Sequence, residues 1–306
     1  MRSRVRDVLI AAIAAGVGAI VAATALPVQG QAPAGARGQT PAAAAAAPAY
    51  RPPRLADNHP DLNGIWQALN EANWDLEPHM ARSALQLRPG PYGPVPAAAV
   101  LALGAVGSVP PGMGVVDGDG TIPYKPEALK QKKENQEKYL ERDPEVKCYL
   151  PGVPRANYMG QPFQIFQSTK AIFVAYQYAG ATRDILLKDP GPAPIDSWMG
   201  QSVGKWEGDT LIVDATGFND QSWFDRAGNF HSDKLHVVER WTRTGPNTLQ
   251  YEATIEDPNV FTRPWKISMP LYRRMERNAQ LMDFKCVEFV EELMYGKFRK
   301  KPLTGE

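Results

Sequence analysis

The stretch LHVVERWTRTGPNTLQYEATIED, residues 235–257, alternates apolar and polar side chains on both sides of a Gly-Pro-Asn turn. A period of two marks a half-buried strand, and two such runs around a short turn make an antiparallel hairpin. A three-residue loop at Gly245-Pro246-Asn247 sets Thr244 opposite Thr248, Trp241 opposite Tyr251 and Val237 opposite Ile255. The other face then pairs Arg240 with Glu252 and His236 with Glu256, so opposite charges meet. A loop of two or four residues would set Trp241 against a polar partner, because a one-residue slip moves every side chain to the wrong face. One residue breaks the pattern. Glu239 falls on the apolar face, opposite Ala253. An unpaired buried carboxylate costs several kcal/mol or takes up a proton. Glu239 therefore needs a partner such as Arg183 or Arg274, or it serves a ligand as acid, base or hydrogen-bond acceptor.

Upstream, Gly208-Asp209 forms a favoured two-residue hairpin loop, with Trp206 opposite Leu211 and Gly204 opposite Val213. Further strands are predicted at Phe163–Gln167, Ala171–Tyr178, Arg183–Lys188, Trp265–Tyr272 and Gln280–Phe289, with the first near Leu62–Ala68. The fold class is mainly β: an antiparallel meander forming a lipocalin-like barrel or a sandwich, with one surface helix and a long irregular insertion. The helix is Pro126–Arg142, with Pro126 in the first turn and Asp143-Pro144 ending it. The insertion is 85–123, where Pro and Gly recur at short intervals. Within it Asp117-Gly118-Asp119-Gly120 resembles the start of a calcium loop, but no glutamate closes it at the twelfth position, so a plain turn is expected.

Residues 1–30 carry Arg2, Arg4 and Arg6, then a largely apolar run from Val8 to Leu26 and small residues, the pattern of a signal peptide. A retained membrane anchor is the competing reading. Residues 31–53, rich in Ala and Pro, read as a flexible linker, and 54–306 as a single β-rich domain. The expected location is the periplasm or the exterior, with no stable membrane insertion once the signal is removed. The balance of 34 basic and 33 acidic residues offers no basic stripe for nucleic acid. Cys148 and Cys286 are the only cysteines, and in an oxidising compartment a disulfide between them is the economical reading; two buried thiols are the alternative.

Candidate chemistry is sparse. His231 and His236, five residues apart, suit neither strand nor helix spacing for zinc, so no metal site is expected, and no bound cofactor. The connection 220–232 is dense in polar and aromatic groups, so Asp225 and His231 are a candidate acid–base pair with Trp223 as a stacking platform. The competing reading is a well-packed loop. Ser232 beside His231 lacks a Gly-x-Ser-x-Gly elbow. In the Pro- and Gly-containing segment 148–158, Arg155 and Tyr158 are further site candidates, with turn chemistry as the alternative.

Gly64-Ile65-Trp66, followed by a β meander, resembles the Gly-x-Trp opening of lipocalins, and Gly204-Lys205-Trp206 repeats the triplet. The stretch 143–289 also resembles a family of uncharacterised exported bacterial proteins through Cys-Tyr-Leu-Pro-Gly-Val-Pro (148–154), Gly-Lys-Trp-Glu-Gly-Asp-Thr-Leu (204–211) and Phe-Thr-Arg-Pro-Trp (261–265). That resemblance implies export and a β fold and carries no activity. The leading expectation is an exported barrel that binds a small apolar or aromatic molecule through Trp206, Trp223, Trp241, Tyr251 and Tyr158, with Glu239 fixing orientation. A cofactor-independent lyase, isomerase or hydrolase using the same pocket is the first alternative. An envelope protein-interaction domain is the second.

Overall fold

Nine strands close into a barrel in a computed structural model that describes residues 50–81, 87–88, 91–92, 95–96 and 109–288. The signal and nearly all of the linker lie outside the described residues, as does much of the insertion. The described residues belong to one compact unit that begins at Tyr50. In chain order the strands are β1 (Gly64–Ala68), β4 (Phe163–Gln167), β5 (Ile172–Tyr176), β6 (Thr182–Leu186), β7 (Gln201–Glu207), β8 (Thr210–Thr216), β9 (His236–Gly245), β10 (Thr248–Glu256) and β11 (Trp265–Arg273). Two short strands, β2 (Leu87–Arg88) and β3 (Val95–Pro96), pair only with each other. The barrel closes because β1 pairs on one side with β11 and on the other with β4.

The predicted meander is present, and its register follows the alternation. Trp241 faces Tyr251, Val237 faces Ile255 and Glu239 faces Ala253. Trp206 faces Leu211 and Gly204 faces Val213. At the β9–β10 turn the pairing differs by one residue. Gly245 rather than Thr244 meets Thr248, and the ladder shifts between Thr248 and Leu249. Pro246-Asn247 is thus the turn, and the extra residue, Thr244, is absorbed as a bulge that keeps the apolar faces aligned.

One step is not antiparallel. β6 and β7 run parallel and are joined only by Ile185 with Ser202 and Leu186 with Val203. The chain makes this step through the long connection 187–200, as a parallel pairing requires. Gly204 lets the two strands close up here, because a Cβ on it would lie 2.7 Å from the Ile185 side chain. The strand expected at Gln280–Phe289 does not form over its described residues. With β1 already bonded to β11, the sheet has no free edge for a further strand, and this segment is instead tied back by Met282 N–H donating to Gln177 and by the Cys148–Cys286 disulfide. The disulfide brings together residues 138 apart in sequence. A loop of this size stabilises a fold by roughly 4–5 kcal/mol in the chain-entropy model.

The predicted helix is split. Helix α1 (Pro126–Glu137) and helix α2 (Tyr139–Arg142) meet at Lys138, which departs from helical geometry. α1 buries only Ala128 and Asn135. It packs on Gly228, where a Cβ would lie 2.7 Å from the Gln136 backbone nitrogen. The described end of the insertion runs beside β11. The N–H of Asp117 donates to Lys266 and the N–H of Ser268 donates to Val115, covering the part of β11 that extends beyond β1.

A buried ion cluster ties four segments together. Arg155 donates to Asp143 at 2.9 Å, to Glu145 at 2.8 Å and to Asn73 at 2.9 Å. Arg226 grips both oxygens of Glu145 at 2.7 Å and lies 4.4 Å over the ring of Trp74. Burial alone would raise the pKa of Glu145, but Arg226 and then Arg155 pull it down to about 2. Asp143 is pushed the other way, upward by its burial. A folded pKa below the ordinary 4.5 means that the stabilisation is complete above that pH and is lost as pH falls toward 2. Chemical denaturation between pH 6 and pH 2 should show stability dropping by up to roughly 3 kcal/mol more in the wild type than in Glu145→Gln. Parallel pH profiles for the two proteins would refute this assignment.

Candidate functional site

The barrel interior combines apolar layers with one polar cluster. Toward the β9–β10 turn, Leu62, Ile165, Ile172, Val174, Ile185, Leu211 and Trp241 pack so closely that the gap between them has no room for a water molecule. The indole N–H of Trp241 lies buried here without a partner. One pair further along β9, the sequence places Glu239 between Val213 of β8 and Ala253 of β10. Two small neighbours leave space for side chains to reach it from across the barrel.

Arg183 of β6 fills that space. Its guanidinium makes a fork-like contact with both oxygens of Glu239, and neither side chain exposes more than 1% of its surface. Arg183 also donates to Ser202 at 2.7 Å. The remaining acceptor capacity of Glu239 takes Asn157 Nδ2 at 2.9 Å and the Tyr251 hydroxyl at 2.8 Å. Asn157 in turn accepts from the Tyr176 hydroxyl at 2.9 Å. Asn157 reaches this point from a 3-10 turn, Arg155–Tyr158, whose four residues are all buried. The turn is a plug, with Arg155 held in the outer ion cluster and Asn157 inside the barrel. Burial, reinforced for Tyr251 by the Glu239 charge, pushes both tyrosines up, Tyr176 to about 12 and Tyr251 well above its usual value. Both phenols therefore stay neutral donors at ordinary pH.

Of the two partners the sequence offered for Glu239, Arg183 is the one used, while Arg274 pairs with Glu276 at the surface. The other candidates separate into distinct places. Trp241 and Tyr251 belong to the packed interior. Trp206 sits near one end of the barrel, its ring stacked 4.7 Å from that of His59, beside a surface groove of about 450 Å³ that includes the Arg54–Asp209 ion pair. Tyr158 is buried and donates to the Phe224 carbonyl. These aromatic groups do not line a common enclosure.

The connection 217–235 folds as a small hairpin. Trp223 bridges Phe230, which brings the next pair, Ser222 and His231, face to face. Asp225 organises its tip by accepting from the N–H groups of Leu76, Ala227 and Asn229 and from Asn229 Nδ2. Burial, and then the charge of Asp75, raise the Asp225 pKa to about 7. Asp225 and His231 do not bond to each other, because Asp225 is taken up by N–H groups of its own loop, by the N–H of Leu76 and by Asn229 Nδ2. His231 bonds instead to Ser222 Oγ at 2.8 Å through Nε2 and to the Ser232 carbonyl at 2.9 Å through Nδ1. Sequence reasoning missed Asn157, Tyr176 and Ser222. Neither spacing nor composition marks Asn157 or Tyr176, and Ser222 is legible only once Trp223 and Phe230 are known to pair.

A second surface groove, of about 320 Å³, lies over the parallel seam between β6 and β7. Leu186, Ala193, Pro194, Ile195 and Met199 form its apolar lining, and Arg183 and Ser202 contribute to it from the barrel side. Among the described residues no group of three or more His, Cys, Asp or Glu side chains is placed to hold a metal. No described helix is long and apolar enough to cross a membrane. No family model matches the chain, and no curated protein or solved structure matches it.

The Arg183–Glu239 pair is closed in and fully bonded, so removing one member strands the other. Glu239→Ala should cost about 3–5 kcal/mol of unfolding free energy, measured by urea denaturation, whereas Glu239→Met combined with Arg183→Met should recover most of that loss. A loss below about 1 kcal/mol for the single variant would sink the assignment.

Proposed function

We propose that the chain is an exported barrel protein that holds a small apolar or aromatic molecule in the groove over the β6–β7 seam. The observation that carries this reading is that groove, about 320 Å³ in volume, where Leu186, Pro194 and Ile195 lie alongside the polar Thr182, Asp184 and Gln201. The volume lies at the lower end of the range for small-molecule sites, roughly 300–1,000 Å³. Ile195, 77% exposed, offers an apolar side chain to solvent there. This seam is the step of the barrel with the fewest residue pairs, two. A ligand with a flat apolar body and a polar head matches the lining, the head turned toward the exposed Thr182 and the half-buried Gln201. The signal-like N-terminus and the Cys148–Cys286 disulfide support export to an oxidising compartment. A second reading, an interaction domain, draws on Phe166 and Phe173, which lie exposed with ring centres 6.2 Å apart on the outer face.

Calorimetric titration with 1-naphthoate tests the groove. Binding should be detectable for the wild type and weakened at least tenfold by Ile195→Asp, with Trp206→Ala unaffected. No binding, or equal loss in both variants, would remove the groove from consideration.

A further inference from the structure

The Ser222–His231 pair lies outside the groove, since neither residue is among those that line it. The Ser232 carbonyl can only accept, so His231 Nδ1 bears the ring proton and Nε2 is bare. Nε2 must then accept from the Ser222 hydroxyl, 2.8 Å away. This is the ground-state arrangement of an activated serine: a nucleophile bonded to a base whose tautomer is set by a third group. The third group is itself held. Ser232 donates its backbone N–H to Asp257 at 2.6 Å and its hydroxyl at 3.0 Å, which fixes the carbonyl that orients the imidazole. Burial lowers the His231 pKa, so the ring is a neutral base at ordinary pH. Phe218 and Phe224 pack against the ring with centroids 6.2 and 5.3 Å away and keep it dry.

What covers the serine is backbone. Gly152 adopts a left-handed conformation, φ +71°, and a Cβ there would lie 2.3 Å from Ser222 Oγ. Only glycine lets this turn sit directly on the hydroxyl. Outside it, Tyr149 and Trp198 pack with ring centres 4.5 Å apart, and Tyr149 is exposed. An aromatic surface thus lies next to the turn that covers the nucleophile. Ser222 is 2% exposed and the Gly152 turn lies over its Oγ, so access of a substrate requires that turn to move.

We propose that Ser222 and His231 form a nucleophile–base pair that hydrolyses small carboxylic esters. Ser222 Oγ bonds to the ester carbonyl carbon as its proton passes to His231 Nε2. The carbon–oxygen bond to the alcohol then breaks, and the departing oxygen takes that proton from Nε2. Water attacks the acyl-serine with its proton going to Nε2, the acid is released, and the proton returns to Oγ. This activity is independent of ligand binding at the β6–β7 groove.

The test uses the full chain with its disulfide intact and diisopropyl fluorophosphate as probe. Intact mass and peptide mapping should show one adduct, on Ser222, with none in Ser222→Ala. His231→Gln should slow labelling at least 100-fold. Gly152→Ala, which keeps both reacting groups but crowds Oγ, should block it. p-Nitrophenyl acetate hydrolysis should fall in parallel. The proposal is overturned if folded wild-type protein takes no adduct under conditions that label a known serine esterase. It is also overturned if labelling is the same in His231→Gln, or if Ser222 reacts only after the chain is unfolded in urea.

Discussion

A carboxylate and a guanidinium, both stripped of water, face each other inside the barrel, and much of the surrounding structure is arranged to make that tolerable. Isolated, either charge would cost several kcal/mol even after relaxation. Glu239 is therefore surrounded by donors, with Arg183, Asn157 and Tyr251 all directed at it. Ser202 takes the remaining edge of Arg183. Each donor comes from a different part of the chain, so the charge pair couples β5, β6, β7, β9, β10 and the 155–158 turn into one network. A network of this kind can distinguish the native register from a slipped one, because a one-residue slip in β9 would turn Glu239 out of the barrel.

The same network explains why the interior is a core rather than a vessel. A plug whose Asn157 bonds to Glu239, Tyr251 and Tyr176 occupies the polar cluster. Apolar packing without a water-sized gap occupies the neighbouring layer. Among the described residues, space for other molecules is found on the outside, at the parallel seam and beside Trp206. Filling a barrel with side chains is an ordinary solution when the strand number is small.

Most of the fold was legible because strand registers are set by local rules. The Gly208-Asp209 loop and the alternation along 235–257 fixed which residues meet, and Glu239 stood out as the one acid on an apolar face. Arg183 was within reach as a partner because strong pairing is what a buried acid demands. The parallel β6–β7 step was not legible, since alternation says nothing of strand direction. Nor was the fate of residues 280–288, which depends on whether β1 has already taken the edge of β11. Asn157 escaped because its partners are 19, 82 and 94 residues away in sequence. Asp225 and His231 were rightly seen as polar groups in a dense loop, but which of them bond depends on the Trp223–Phe230 bridge, a tertiary fact.

The short first strand is bonded on both sides to partners far along the chain, β4 on one side and β11 on the other. Its pairings span roughly 100 residues to β4 and roughly 200 to β11, distant contacts of the kind that slow folding in general. Without β1 the sheet would be an open ribbon with β4 and β11 as its borders, each carrying unpaired amides of the kind to which another chain can add.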